Sequence, residues 1–248
     1  MSSYSSFALV GAGTLGGPVL AALAGQTSAK VILLSRSASK TVPANVQVVQ
    51  VPSYDDVPAV TATLRAHNVE VIVSTLNTAA ILAQLPLADA AKQAGVKLFV
   101  PSEFGLSTEG ASEGPWAEKN KIIEKLQSVG VPYLRIFTGL FIEFVPWAVN
   151  YSAKAKKLYV VGKSEGAVSV ASIADIAGNI AHIFTHQPAS ALENQVLRIE
   201  GDRIPGFRSL GPLFGAEVVT VKAMEGELAY GGREQHADSR REMRSLSD

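Results

Sequence analysis

The sequence predicts an α/β chain, a doubly wound parallel sheet followed by a smaller C-terminal lobe. Three observations predict it. Short apolar runs alternate with stretches of helical spacing as far as Phe137. The runs are continuously apolar rather than alternating with period two, as strands covered on both faces are. A glycine-rich turn joins the first run to the first helical stretch. The chain has 248 residues, 47% hydrophobic and 18% charged, enough for a large buried core and too apolar for wholesale disorder.

Phe7–Val10 is the first apolar run, and it stops at Gly11. Pro18–Ala24 has helical character. Val31–Leu34 is the second strand, closed by Ser35-Arg36, and Val46–Val51 is a β-branched third. Val57–Ala66 has helical spacing, Val69–Ser74 reads as a buried strand, and Ile81–Ala94 as a helix ended by Gly95. Val96–Val100 stops at Pro101. Trp116–Val129 is an amphipathic helix ended by Gly130, and Val131–Phe137 is a strand broken at Gly139. The second half is less regular. Leu158–Val161 and Val196–Glu200 are strand candidates. Ser172–Thr185 is a helix with Ser172 as N-cap and Asp175 in the first turn. After Gly201 the pattern weakens, and from Met224 the chain is polar. The expected division is residues 1–150 for the sheet domain, 151–223 for a small substrate lobe interleaved with it, and 224–248 for a polar tail.

Lys+Arg and Asp+Glu are both 22, so no basic excess marks a nucleic-acid binder. Cysteine is absent, which removes disulfides, thiolate catalysis and cysteine-held metal. The opening Met1-Ser-Ser-Tyr-Ser-Ser lacks a basic segment and a long apolar run, so no secretory signal is expected. No apolar stretch reaches the roughly 18 residues of a membrane span. A cytoplasmic protein with a small-molecule partner is the expectation, without nucleic acid or membrane.

Gly11-Ala-Gly-Thr-Leu-Gly16-Gly17 sits between strand and helix. That context makes it the phosphate loop of a Rossmann-type fold: Gly11 for the tight turn, Gly13 for close approach of the pyrophosphate, Gly16 for helix packing. The amides of Thr14 and Leu15 would meet phosphate at a helix N-terminus. Arg36 ends the second strand about 20 residues past Gly16, where an acidic residue would select NAD and an arginine accepts a 2′-phosphate. Arg36, with Lys40 as a second cation, therefore points to NADP(H).

Ligands of open parallel sheets lie beyond the carboxyl ends of the strands. There the sequence places Ser74-Thr75, Pro101-Ser-Glu-Phe-Gly105 and Thr138-Gly139. Ser74, Thr75 and Thr138 are cofactor candidates, and Phe104 a substrate candidate. Lys119 and Lys121 open the helix that follows. A lysine near a helix N-terminus has a lowered pKa and can exchange a proton during hydride transfer. The pair equally fits a solvated helical face.

The glycine loop, Arg36, Pro101-Ser-Glu-Phe-Gly105 and Lys119 ahead of Gly130-Val-Pro-Tyr133 together resemble the NmrA-like group of isoflavone reductase-like and phenylcoumaran benzylic ether reductase-like enzymes, which are atypical short-chain dehydrogenase/reductases. The resemblance covers residues 5–200. It implies an NADPH-dependent reductase with Lys119 as the catalytic lysine. Lys121 is turned away by roughly 200° and cannot share the same cleft. Ser102 is a candidate for polarising substrate or fixing the lysine. Residues Ser169–Ile183, with Asp175-Ile176, are similar to the family's late helix. Pro115 stands where standard short-chain dehydrogenases carry tyrosine, as in this family. Tyr159-Val-Val-Gly-Lys163 matches that spacing by coincidence, in a strand and turn. The C-terminal lobe is expected to be shorter than the family's.

Phe141, Phe144, Trp147 and Tyr151 form an aromatic stretch that fits either a substrate pocket, with Phe141 and Phe144 as contacts, or packing against the sheet. Glu143 among them meets either substrate or water. His182 and His186 share a helix face, but no third ligand accompanies them, so no metal is expected. Hydride transfer to a small aromatic or carbonyl-bearing substrate is the function these features imply. The alternative is a non-catalytic dinucleotide-binding regulator that senses redox state through a protein partner.

Overall fold

The computed structural model describes residues 4–37 and 41–222. In chain order the elements are β1 (Ser6–Val10), α1 (Gly16–Ala24), β2 (Lys30–Ser35), β3 (Gln47–Gln50), α2 (Val57–Ala66), β4 (Val71–Ser74), α3 (Gln84–Ala94), β5 (Leu98–Val100), α4 (Gly114–Val129) and β6 (Leu134–Phe137). They continue with β7 (Leu140–Phe141), α5 (Val145–Ala148), β8 (Lys157–Val161), β9 (Val168–Ala171), α6 (Ile173–His186), β10 (Gln195–Arg198), β11 (Asp202–Ile204), α7 (Leu210–Phe214) and β12 (Glu217–Val221).

The chain divides into two compact units. The first holds the described residues up to Gly139 together with Ala171–Gly201. The second holds Leu140–Val170 and the described residues from Asp202 onward. This differs from the expected boundary at residue 150: the first unit closes at Gly139 and takes back α6 and β10. The polar tail expected over 224–248 lies outside the described residues.

In the first unit five parallel strands run in the order β3-β2-β1-β4-β5. A parallel bridge between Phe99 and Tyr133, with Phe99 N donating to Pro132 O at 2.8 Å, leads on to the parallel pair β6–β10. Alternate strand residues face opposite layers. Ala8, Val10, Ile32, Leu34, Ile72 and Phe99 join Val60 and Leu64 of α2, Leu87 and Ala91 of α3, and Ile122 and Leu126 of α4 in one core. On the other side α1 lies against α6, and the rings of Phe7 and Phe184 meet at 5.9 Å. Both faces are covered, which is why the strands read as unbroken apolar runs.

The chain reverses its strand order around β1, whose neighbours are β2 and β4. A crevice therefore opens at the carboxyl ends of β1 and β4. The registers Val10↔Leu34, Val10↔Ser74 and Val73↔Val100 bring Gly11, Arg36, Thr75 and Ser102 to this edge.

In the second unit β9 pairs with β11, antiparallel, and with β7, while β8 and β12 form a parallel pair. Val145, Val149, Leu158, Val160, Val170 and Leu210 make its core. Tyr151 stacks on Phe214 at 4.7 Å, so this part of the aromatic stretch is packing. Tyr159 lies in β8 and Lys163 beyond it in an exposed turn, not on a helix.

Candidate active site

The turn after β1 is shaped by its glycines. Gly11 has φ +92°, a conformation that favours glycine. A Cβ on Gly16 would overlap the Gly11 carbonyl and Thr75 Oγ1, so only glycine lets α1 start this close to the sheet. Thr75 Oγ1 donates to Gly11 O at 2.6 Å and its amide donates to Val10 O at 2.9 Å, locking β4 to the turn. Gly13 faces open space: nothing lies within 4 Å of where its Cβ would be. Gly17 N donates to Gly13 O at 3.0 Å, while no described acceptor takes the amides of Thr14 and Leu15. Two free amides over an open cradle at a helix N-terminus fit a diphosphate.

Arg36 is exposed at the end of β2, its guanidinium 5.7 Å from the ring centre of Tyr54. Tyr54, which sequence reasoning did not single out, donates to Leu34 O at 3.2 Å and is a fixed platform for that cation. Burial raises the Tyr54 pKa, with the Arg36 charge opposing it. Lys40 lies outside the described residues. Ser74 is fully buried, and its Oγ has no hydrogen-bond partner among the described residues. Thr138 is buried too, and its backbone staples the neighbouring loop: Thr138 N and Gly139 N both donate to Gly105 O, at 3.0 and 3.1 Å.

Lys119 stands on α4. This helix begins at Gly114, two residues before the expected start, so Lys119 is in its second turn. The dipole effect fades within one turn and is not what perturbs this lysine. Burial lowers its pKa from 10.5, the Glu103 carboxylate opposes the change, and the Arg135 guanidinium adds to it. Its side chain is 18% exposed and Nζ donates to the backbone carbonyl of Glu103 at 2.6 Å. Lys121 points to solvent, as its rotation along the helix predicts.

Ser102 Oγ donates to Leu76 O at 2.8 Å, and Ser102 N donates to Gln84 Oε1 at 2.9 Å. No hydrogen bond joins Ser102 to Lys119 among the described residues; the residue that fixes the lysine is Glu103. Phe104 is buried and has φ +29°, a region that non-glycine residues rarely occupy. Glu103, Thr108, Asn120 and Arg135, buried or half-buried behind Lys119, had no role assigned from sequence. The available signal was Arg135 within the apolar run Val131–Phe137, since a buried guanidinium requires a carboxylate partner. Phe141 and Phe144 belong to the second unit, where their rings stack at 5.6 Å. His182 and His186 stack at 4.3 Å, and no metal-holding cluster is present among the described residues.

The matching family model is the NmrA-like family, over residues 6–202. The chain belongs to the NmrA-like family. Among curated relatives, the oxidoreductase aprR of Aspergillus flavus is 33% identical over 145 residues, which is 54% of this chain and 48% of that protein. The isoflavone reductase homolog P3 of Arabidopsis thaliana is 37% identical over 79 residues, 29% of this chain and 26% of that protein. The chain thus spans about half or less of the length of these relatives. Among solved structures, leucoanthocyanidin reductase from Vitis vinifera, in complex with NADPH, superposes with a TM-score of 0.74 at 19% identity, covering 88% of this chain and 78% of that one. At that identity the likeness is one of fold, and it confirms the Rossmann-type α/β class. No helix of the described residues is long and apolar enough to cross a membrane.

Proposed function

We propose that this NmrA-like chain is an NADPH-dependent reductase of a small aromatic or carbonyl-bearing substrate. The observation that carries the reading is Lys119, a half-buried ammonium held by the backbone carbonyl of Glu103 just past the carboxyl end of β5. The Thr14 and Leu15 amides and the space over Gly13 would hold the diphosphate, and Arg36 on Tyr54 the 2′-phosphate. Thr75, at the carboxyl end of β4, would line the same crevice, while Ser74 is fully buried. Bound there, NADPH would supply a hydride to an electrophilic carbon of the substrate. Lys119 Nζ would deliver the accompanying proton, aided by burial that weakens its hold on it. Phe104 beside this loop, and Trp116 one turn before Lys119 on α4 and 51% exposed, favour an aromatic substrate. The NADPH held by leucoanthocyanidin reductase supports the cofactor.

The test is NADPH oxidation against a panel of carbonyl and phenylpropanoid compounds, wild type beside Lys119→Ala. Turnover by the wild type, and its loss in the variant with NADPH binding intact, is the expected result. Tight NADPH binding with no turnover across the panel would overturn it in favour of a redox-sensing regulator.

A further inference from the structure

Glu103 presents two different groups to Lys119. Its main-chain oxygen accepts from Nζ at 2.6 Å, while its carboxylate Oε2 stands off at 4.0 Å. A carboxylate is the stronger partner for a buried ammonium, so something must hold it away. Arg135 Nε donates to Oε1 at 2.9 Å, and Thr108 Oγ1 donates to Oε2 at 2.9 Å. Arg135 is itself fixed. Its second terminal nitrogen donates to Thr108 Oγ1 at 2.7 Å and to Asn120 Oδ1 at 2.9 Å, and its guanidinium lies 5.2 Å from the Phe137 ring centre. Asn120 follows Lys119 directly, and its amide donates to the carbonyls of Thr108 and Ala111. One guanidinium therefore ties β6, the 101–111 segment and the lysine-bearing helix to a single point. The backbone agrees: Phe104 N donates to Ile136 O at 3.0 Å, and the left-handed turn at Phe104 follows Glu103, whose carbonyl meets Lys119 while its side chain reaches Arg135.

We propose that Arg135 is a positioning residue that withholds the Glu103 carboxylate from Lys119, leaving the ammonium on a backbone carbonyl and free to release its proton. The inference rests on the reductase reading and goes beyond it by naming what sets the lysine's hydrogen-bond partner. The charged groups around Lys119 are few. β6 supplies Arg135 and the preceding loop supplies Glu103. Glu109 of that loop is engaged by Arg198 at 2.7 Å. The 3-10 turn Thr78–Ala83 packed on α4 has no titratable side chain. Asp89 of α3 pairs with Lys125, further along α4. Glu113, Glu118, Lys121 and Glu124 complete the set on α4 and its cap.

Acetylation by acetic anhydride as a function of pH, followed by peptide mass spectrometry, reads the acidity of Lys119 without cofactor or substrate, with exposed Lys121 as internal reference. Glu103→Gln keeps the shape and removes the charge. The Lys119 midpoint should move down while that of Lys121 stays. In Arg135→Met the freed carboxylate should close on Lys119 and move its midpoint up, with loss of kcat and little change in the KM for NADPH. Should Arg135→Met not fold, Arg135→Lys, which keeps the charge but cannot hold Glu103 and Thr108 with the same planar fork, should move the Lys119 midpoint in the same direction. An unmoved Lys119 midpoint in the Arg135 variants, or equal shifts at Lys119 and Lys121, would overturn the proposal; a purely structural role lowers the Tm and leaves the midpoint in place. Shifted midpoints in a protein that turns over no substrate would instead count against the reductase reading alone.

Discussion

Only their surroundings distinguish Lys119 from Lys121. Both are on α4, yet one is buried against Glu103 and Arg135 and the other is in water. Loss of a positioned proton donor typically costs about 10²- to 10⁴-fold, and Lys119→Ala should lose turnover on this scale while its NADPH affinity holds. Activity should fall as pH rises through the folded value of Lys119, so the alkaline limb of kcat should lie below 10.5. Because that value is depressed, the folded protein gains stability as pH rises from it toward 10.5; Lys119→Met should lack this gain in Tm against pH. Arg36→Ala should weaken NADP(H) by about 1.5–3 kcal/mol, the scale of a charge-assisted contact, and barely change NAD(H); equal losses in calorimetric titration would refute the assignment. Arg36 was singled out in sequence by its spacing from the glycine loop, and Lys119 by the resemblance to the NmrA-like group. Glu103 and Arg135 were not given roles, because their partnership joins a loop to a strand and exists only once both are folded.

At the scale of elements, the phosphate turn separates packing from binding. Gly16→Ala forces a Cβ into the Gly11 carbonyl and Thr75 Oγ1, and should lower stability by about 1–3 kcal/mol, as overpacking does. Gly13→Ala meets nothing in the protein, so its Tm should stay near wild type while NADPH affinity falls. Chemical denaturation paired with calorimetry tells the two apart. The helix Val57–Ala66 was read to its limits from sequence, with Asp56 capping Ala59 N at 3.0 Å. The helix expected over Ile81–Ala94 instead splits: Asn77 caps a 3-10 turn over Thr78–Ala83, and α3 begins at Gln84. Pro86 explains the start, since its missing N–H is tolerated only in a first turn. The strands β7, β9, β11 and β12 escaped notice. They are short, of two to five residues and mixed burial, and they pair with segments distant in the sequence, so periodicity carries little signal.

Over the whole molecule, the first unit is closed at the edge opposite the crevice by Glu70. Its carboxylate accepts from Ser5 N at 2.8 Å, Ser5 Oγ at 3.0 Å and Lys97 Nζ at 2.6 Å, joining the starts of β1 and β5 to the approach to β4. Burial pushes its pKa up, but the Lys97 and Ser5 contacts win and hold it below 4.5. Its contribution is present above that value and lost as pH falls through the folded one. Glu70→Gln should therefore have a lower Tm at neutral pH and a flatter acid limb than wild type. The parallel sheet was legible because its strands are buried on both faces; an interleaved lobe was expected, but that α6 and β10 are the elements returning to the first unit was not, since it depends on tertiary pairing of β10 with β6. The most direct test is calorimetric titration of NADPH into the wild type and Gly13→Ala. Saturable binding by the first and a clear loss in the folded second is predicted. Absence of binding by the wild type, or equal binding by both, would contradict a dinucleotide seated on the amides of the first helix.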